Sequence, residues 1–176
     1  MRTVDELERL WRESSASSPD RGVVRLICVR RAEGVHVCPP SVRVTASSGV
    51  EGDRWSAGAD PDPEAQVTLM AARVAELVAA DHAPLHTPGD NFLVDIDLSE
   101  QALPAGSRIR LGSAVLEISA VPHTGCAKFR ERFGVDALRW VNHKDHQARR
   151  LRGLNCRVVT DGEIAVGDEI ELLRSP

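Results

Sequence analysis

The stretch Arg108-Ile109-Arg110-Leu111-Gly112-Ser113-Ala114-Val115-Leu116-Glu117-Ile118-Ser119 reads as a β-hairpin turning at Gly112-Ser113. Glycine there supplies the positive φ that a type II′ turn requires. Cys156-Arg157-Val158-Val159-Thr160-Asp161-Gly162-Glu163-Ile164-Ala165-Val166 predicts a second hairpin, its Asp161-Gly162 suited to a type I′ turn. Gly167-Asp168 then opens a last turn before a strand from Glu169 to Leu173. Upstream, short β-rich runs cover Val23 to Arg31, Ser41 to Ala46, Gln66 to Met70 and Asn91 to Ile96, each bounded by turn residues. Hairpins this dense predict an antiparallel barrel or sandwich rather than a parallel sheet, and so a mainly β fold with a few peripheral α-helices.

The helical segments are few. Thr3 and Glu6 have the spacing of a capping box, and Val4, Leu7 and Trp11 fall on one helical face. Ser14 to Pro19 is a Ser-rich linker, which makes residues 1–21 a helix plus linker and 22–176 the main domain. Ala71 to Asp81 carries Val74, Leu77 and Val78 at helical spacing and ends before Pro84. A further helix starts at Cys126 or Ala127 and runs through Phe133, with Gly134 as its left-handed cap and Val135 to Val141 adding a turn or two. His143 to Arg150 is polar and reads as a loop or a mobile flap.

With 176 residues the chain suits one domain and buries about 70% of its unfolded surface, enough for a core without staples. Apolar residues at 42% and charged residues at 27% are globular composition. Lys and Arg number 22 against 26 Asp and Glu, a net charge of −4, which argues against broad nucleic-acid or anionic-membrane binding. No run approaches the ~18 apolar residues of a membrane helix, and the charged first residues are no secretory signal. Four cysteines without a CxxC pair then point to reduced thiols in a cytoplasmic protein.

Chemistry concentrates in Val121-Pro122-His123-Thr124-Gly125-Cys126-Ala127-Lys128-Phe129. A strand ends at Pro122, a glycine-containing turn follows, and Cys126 lands at a helix start, where free N–H groups and the helix dipole favour a thiolate. His123 and Lys128 are placed to add positive charge. Such a thiolate serves as a nucleophile, a persulfide carrier or a soft metal ligand. Gly49-Val50-Glu51-Gly52-Asp53-Arg54-Trp55 is a second motif, its glycines letting backbone approach a ligand and Arg54 offering a forked donor. Thr87-Pro88-Gly89-Asp90-Asn91 is a third, with Asn91 presenting an amide or closing an Asx-turn.

Taken in order, GVEGDRW, GDNFLV, VPHTGCAKF and RLRGLNCRVVTDGEIAVGDEIEL resemble the MOSC domain, the C-terminal module of molybdenum-cofactor sulfurases that also occurs as small standalone bacterial proteins. The resemblance covers about residues 22–174 and implies a barrel like the small barrel of pyruvate kinase. It also implies a role with the molybdenum cofactor (molybdopterin), in which Cys126 matches the cysteine regarded as sulfur carrier or metal ligand. Some relatives reduce N-hydroxylated compounds at that metal. Asp53-Arg54 and Asn91 match family segments expected near the same pocket. A pterin dithiolene ending in a phosphate needs amide and guanidinium donors, for which Arg54, Lys128, Arg157 and the turn amides at Thr124 and Gly125 are candidates. His123-Thr124-Gly125 differs from the Pro/Arg-rich text that often precedes the family cysteine.

Three functions follow as expectations. The first is a molybdenum-cofactor oxidoreductase with Cys126 and His123 at its catalytic centre and a small-molecule substrate. The second is a carrier holding a persulfide on Cys126, and the third a non-catalytic barrel binding a pterin or phosphate. No ferredoxin-like cysteine spacing is present, so electrons would come from a separate donor protein, or sulfur from a cysteine desulfurase. Pyridoxal phosphate is not expected, because the chain is too short for a desulfurase domain. Cys28 and Cys156 read as core thiols, and Cys38 as a loop cysteine. His143 and His146 lack a third ligand for zinc. The run Arg149-Arg150-Leu151-Arg152 is a solvated face or one wall of the cofactor pocket.

Overall fold

The computed structural model describes residues 1–173. Residues 174–176, the end of the expected barrel segment, lie outside them. Seven strands close a barrel in the order β1 (Arg21–Ile27), β12 (Glu169–Leu173), β8 (Arg108–Leu111), β9 (Ala114–Ile118), β10 (Leu154–Thr160), β6 (Val67–Ala71) and β7 (Phe92–Val94), with β7 returning to β1. The remaining strands form a three-stranded sheet, in which β4 (Ser41–Thr45) lies between β11 (Gly162–Ala165) and β5 (Gly49–Val50), and a separate pair, β2 (Val29–Ala32) with β3 (Val35–Val37). The mainly β fold with peripheral helices is the one the hairpins predicted.

Alternation builds the core. In β8 and β9, Ile109, Leu111, Ala114, Leu116 and Ile118 turn inward and their neighbours outward. Gly112 joins them at φ 53, the positive value its turn required. One pair breaks the antiparallel pattern, since β6 runs parallel to β7. Parallel neighbours need a crossover, and α2 (Ala72–Ala79) starts it. Every residue of β6 is buried, as suits a strand covered on both faces.

The second expected hairpin is corrected. Thr160 and Gly162 do not turn back on each other, because β11 leaves β10 and pairs with β4, Gly162 opposite Val44. Gly162 has no positive φ. It is needed for a different reason, as a Cβ there would collide with the backbone of Ser113 and Ala114 at the β8–β9 turn. The Gly134 expectation is partly met. Its φ of 87 is positive, but ψ of 171 is extended, and the chain re-enters helix, so α3 (Ala127–Val141) is two short helices around a kink.

The segment after α3 is also corrected. Lys144–Arg149 is a docked 3-10 helix and not a flap, with His146 buried against the Trp140 carbonyl at 2.7 Å. Its anchor is α1 (Val4–Glu13), which carries the expected capping box and buries Leu7. Glu8 of α1 accepts hydrogen bonds from Trp140 Nε1 at 3.1 Å, Arg149 Nη1 at 3.1 Å and Arg12 Nε at 3.0 Å. Trp11 packs edge-on to Trp140 and under the Arg73 guanidinium. The terminal helix therefore fastens the far end of α3. Among the described residues no helix is long and apolar enough to cross a membrane.

Burial tends to raise the Glu8 carboxyl, but Trp140, Arg149 and Arg12 outweigh it and bring it down to about 2. A folded pKa below the unfolded value of 4.5 means that Glu8 stabilises the fold above pH 4.5 and loses that effect as pH falls towards 2. Glu8→Gln should lower the unfolding free energy at pH 7 by about 1–3 kcal/mol and flatten this acid slope, as read by urea titrations across pH.

Candidate active site

Cys126 sits at the N-cap of α3 with extended backbone (φ −116) and an exposed side chain. Its sulfur makes no cap hydrogen bond but lies in the field of the first-turn amides of Lys128 and Phe129. Partial burial works to raise the thiol, yet those amides and the Arg152 guanidinium prevail and hold it below the ordinary range. The other three cysteines go the opposite way. Burial pushes Cys28 up to about 12 and raises Cys38 and Cys156. Of four thiols, one is shifted towards the thiolate.

The turn before Cys126 is held by a side chain that sequence did not single out. Asn142, the C-cap of α3, accepts from the Gly125 amide at 2.8 Å and donates to the Gly125 carbonyl at 2.9 Å. The two ends of the kinked helix thus meet at the residue preceding the thiol. A Cβ on Gly125 would meet Leu138 Cδ1 at 2.7 Å and Asn142 Oδ1 at 3.2 Å, so a larger residue there would make the Leu138 side chain shift.

Cys126 opens on a cavity of about 160 Å³ whose polar wall is cationic: Arg30, Arg54, Lys128, Arg132 and Arg152. Arg54 and Lys128 were expected here, and Arg152 is the member of the basic run that forms a wall. Its neighbours in that run serve elsewhere. Arg149 binds Glu8, and Arg150 donates to the carbonyls of Leu98 and Leu103. Arg30 and Arg132 were missed. An arginine continuing the apolar strand run from Val23 was the available signal for Arg30, because a charge there needs a buried partner.

That partner is Asp53. Arg30 donates to it from the backbone N, Nε and Nη2, each at 2.9 Å, while Asn91 Nδ2 donates to the same carboxylate at 3.0 Å. Asn91 Oδ1 in turn accepts from Thr68 N at 3.0 Å and Arg30 Nη2 at 3.2 Å. Burial tends to raise Asp53, but Arg30 overrides it and holds the carboxyl low. Asp53 and Asn91, expected as ligand contacts, stand behind the cavity wall and orient Arg30. Asp90 does the same for Arg152, accepting its Nη1 at 2.6 Å with neither side chain more than 8% exposed.

Three sequence expectations are corrected by placement. Arg157 is not at the cavity. In β10 its inward neighbour Cys156 is buried, so alternation turns Arg157 to the outer face, where Nε lies 3.0 Å from Glu117. Thr124 and His123 line a neighbouring cavity of about 220 Å³ that shares Arg152 with the first. His123 brings no positive charge to the thiolate either. Burial pushes its imidazole down to about 4 against the pull of Asp90, and Arg152 and Arg30 push the same way.

The residues present fit a group that is anionic and offers one soft atom. Five cations face the cavity beside a single thiol of lowered pKa, and Arg152 Nε on its wall lacks a partner, as do the buried Asp90 Oδ1 and His123 Nδ1 outside its lining, 3.4 Å apart. Among the described residues no three His, Cys, Asp or Glu side chains gather as a metal site, and Cys126 is the one cysteine that lines this cavity.

The family model described as the MOSC domain matches residues 58–171. No curated protein matches the chain. Solved structures do. The YuaD protein from Bacillus subtilis superposes with a TM-score of 0.60 at 18% identity, over 89% of this chain and 97% of that one. YiiM from Escherichia coli gives 0.57 at 18% identity, over 88% and 71% of the two chains. YiiM from Geobacillus stearothermophilus gives 0.60 at 16% identity, over 87% and 75%. At these identities the likeness is one of fold.

Two outcomes test the geometry. Asp53→Ala strands Arg30 as an uncompensated partly buried charge and should cost about 3–5 kcal/mol in denaturant unfolding. The low folded pKa of His123 means that the unfolded chain takes up the proton first, so stability falls as pH drops from 6.5 towards about 4. The loss is on the order of 3 kcal/mol, and His123→Gln should remove that part of the slope.

Proposed function

The chain belongs to the MOSC domain family, which is linked to molybdenum-cofactor binding and sulfur chemistry, and from that premise we propose that it is a molybdenum-cofactor oxidoreductase reducing N-hydroxylated compounds. One observation carries the proposal: the only thiol held below its ordinary range, Cys126, opens on the cavity walled by five cations. When bound, the cofactor supplies two-electron chemistry at its metal. The protein's own work is to hold and to shield. Cys126 would give the metal its sulfur ligand, its thiol already held below the ordinary range by the α3 amides and Arg152. Arg54, Lys128 and Arg132 would hold its anionic groups, and Asp53 and Asn91 keep Arg30 oriented beside them.

His123 serves this reading as a neutral base, not as a cation. Its Nδ1 faces the Asp90 carboxylate, which leaves the other ring nitrogen to take up and return a proton in the adjoining cavity. Electrons come from a separate donor protein.

A second reading draws on the exposure of Cys126. An exposed thiol of lowered pKa also suits a carrier that takes a sulfane sulfur from a cysteine desulfurase.

Expression in a host that makes the cofactor, followed by metal analysis, separates the two. The oxidoreductase reading expects close to one molybdenum per chain, lost in Cys126→Ala by more than the ~10-fold typical of changes around a ligand. Metal-free protein that gains about 32 Da on Cys126 after incubation with a desulfurase would favour the carrier.

A further inference from the structure

The tip of the β2–β3 hairpin reaches the cationic cavity, and it carries a carboxylate. Glu33 Oε1 lies 2.5 Å from Lys128 Nζ, and Glu33 Oε2 lies 3.0 Å from Arg54 Nη1. Both cations line the cavity, as does Gly34, the next residue of the hairpin. One acidic side chain therefore spans two cations from different elements, α3 and the 3-10 helix Arg54–Ala57, with one oxygen on each. A phosphate-type dianion would make the same two contacts. Lys128 first and Arg54 second hold the Glu33 carboxyl below its ordinary range, so it is ionised at neutral pH.

The hairpin is anchored at its base and loose at its tip. Arg30, at the base, is locked to Asp53. Beyond it, residues 31–35 are exposed, and β2 and β3 pair only with each other, outside the barrel. A two-stranded ribbon is marginal by itself. Gly34, at the tip, has φ 71 and open space where a side chain would begin. Exposed ion pairs contribute about 0–1 kcal/mol each, and a ligand with two charges on one rigid group can outcompete them.

We propose that Glu33 is a built-in stand-in for the ligand's anionic group, filling the Arg54–Lys128 subsite until a phosphate-type dianion displaces it and the hairpin tip swings away. The inference rests on the preceding section only in taking the cavity to receive an anion, and it requires no metal.

Cys126 reports the field in its own cavity. Alkylation by anionic iodoacetate and by neutral iodoacetamide, followed by peptide mass analysis, gives a rate ratio in which changes in thiol ionisation cancel. Glu33→Gln should raise that ratio about threefold or more at low ionic strength, since two cations are released. Added inorganic phosphate should bring it back down, and a Glu33→Gln/Lys128→Met double variant should lose most of the gain. Glu51→Gln, which removes an exposed carboxylate outside this cavity, should leave the ratio unchanged. An unchanged ratio in Glu33→Gln, or an equal rise in Glu51→Gln, would overturn the stand-in. The expected rise in a protein that takes up no molybdenum would uphold it and remove the cofactor assignment instead.

Discussion

The Arg30–Asp53 pair is the constraint on which the site depends. Bringing a guanidinium and a carboxylate out of water is costly unless nearly every donor and acceptor is met. Here three donors of Arg30, the Trp55 amide and the Asn91 side chain all converge on one carboxylate. The pair joins three pieces of chain that share no sheet ladder: the base of the hairpin, the turn after β5 and the entrance to β7. With those pieces fixed, an arginine faces the cavity at a set angle, and the thiol on α3 finds cations already in place.

The charge pattern has two depths. Arg30 and Arg152 are held by carboxylates that reach them from behind, Asp53 and Asp90, and their side chains are at most 17% exposed. Arg54 and Lys128 stand at the rim about half exposed and share one surface glutamate. Inner charges of this kind are pre-oriented and screened little by salt, whereas outer ones exchange partners freely. The Cys126 thiol lies between a rigid wall and an adaptable rim.

Much of this was legible in the chain. The Gly112-Ser113 turn, the capping box at Thr3 and the thiol at a helix start each depend on a few adjacent residues, and each was read correctly. What failed depends on distant partners. Asp161-Gly162 has the composition of a hairpin turn, but the glycine serves a close passage against Ser113 and Ala114, some 50 residues away. The parallel β6–β7 pair leaves no local trace. His143 to Arg150 looked free because its partner, Glu8, stands at the other end of the chain. Asp53 and Asn91 stand out in the sequence, but their side chains bond to Arg30 and to each other, and a buried carboxylate and amide look alike in sequence whether they face a cavity or orient the arginine that does. Arg157 shows that register was available but unused: Cys156 already reads as a core thiol, and strand alternation then turns its neighbour outward.

The position of β1 in the barrel has a consequence for synthesis. It lies between β7 and β12, so the first strand of the chain bonds along one edge to the last. A growing polypeptide emerging from the ribosome can pair β1 with β7 early but keeps an open edge until β12 is made. Closure is then a late event of long sequence separation, and the unfinished chain has to be kept from pairing with its neighbours in the meantime.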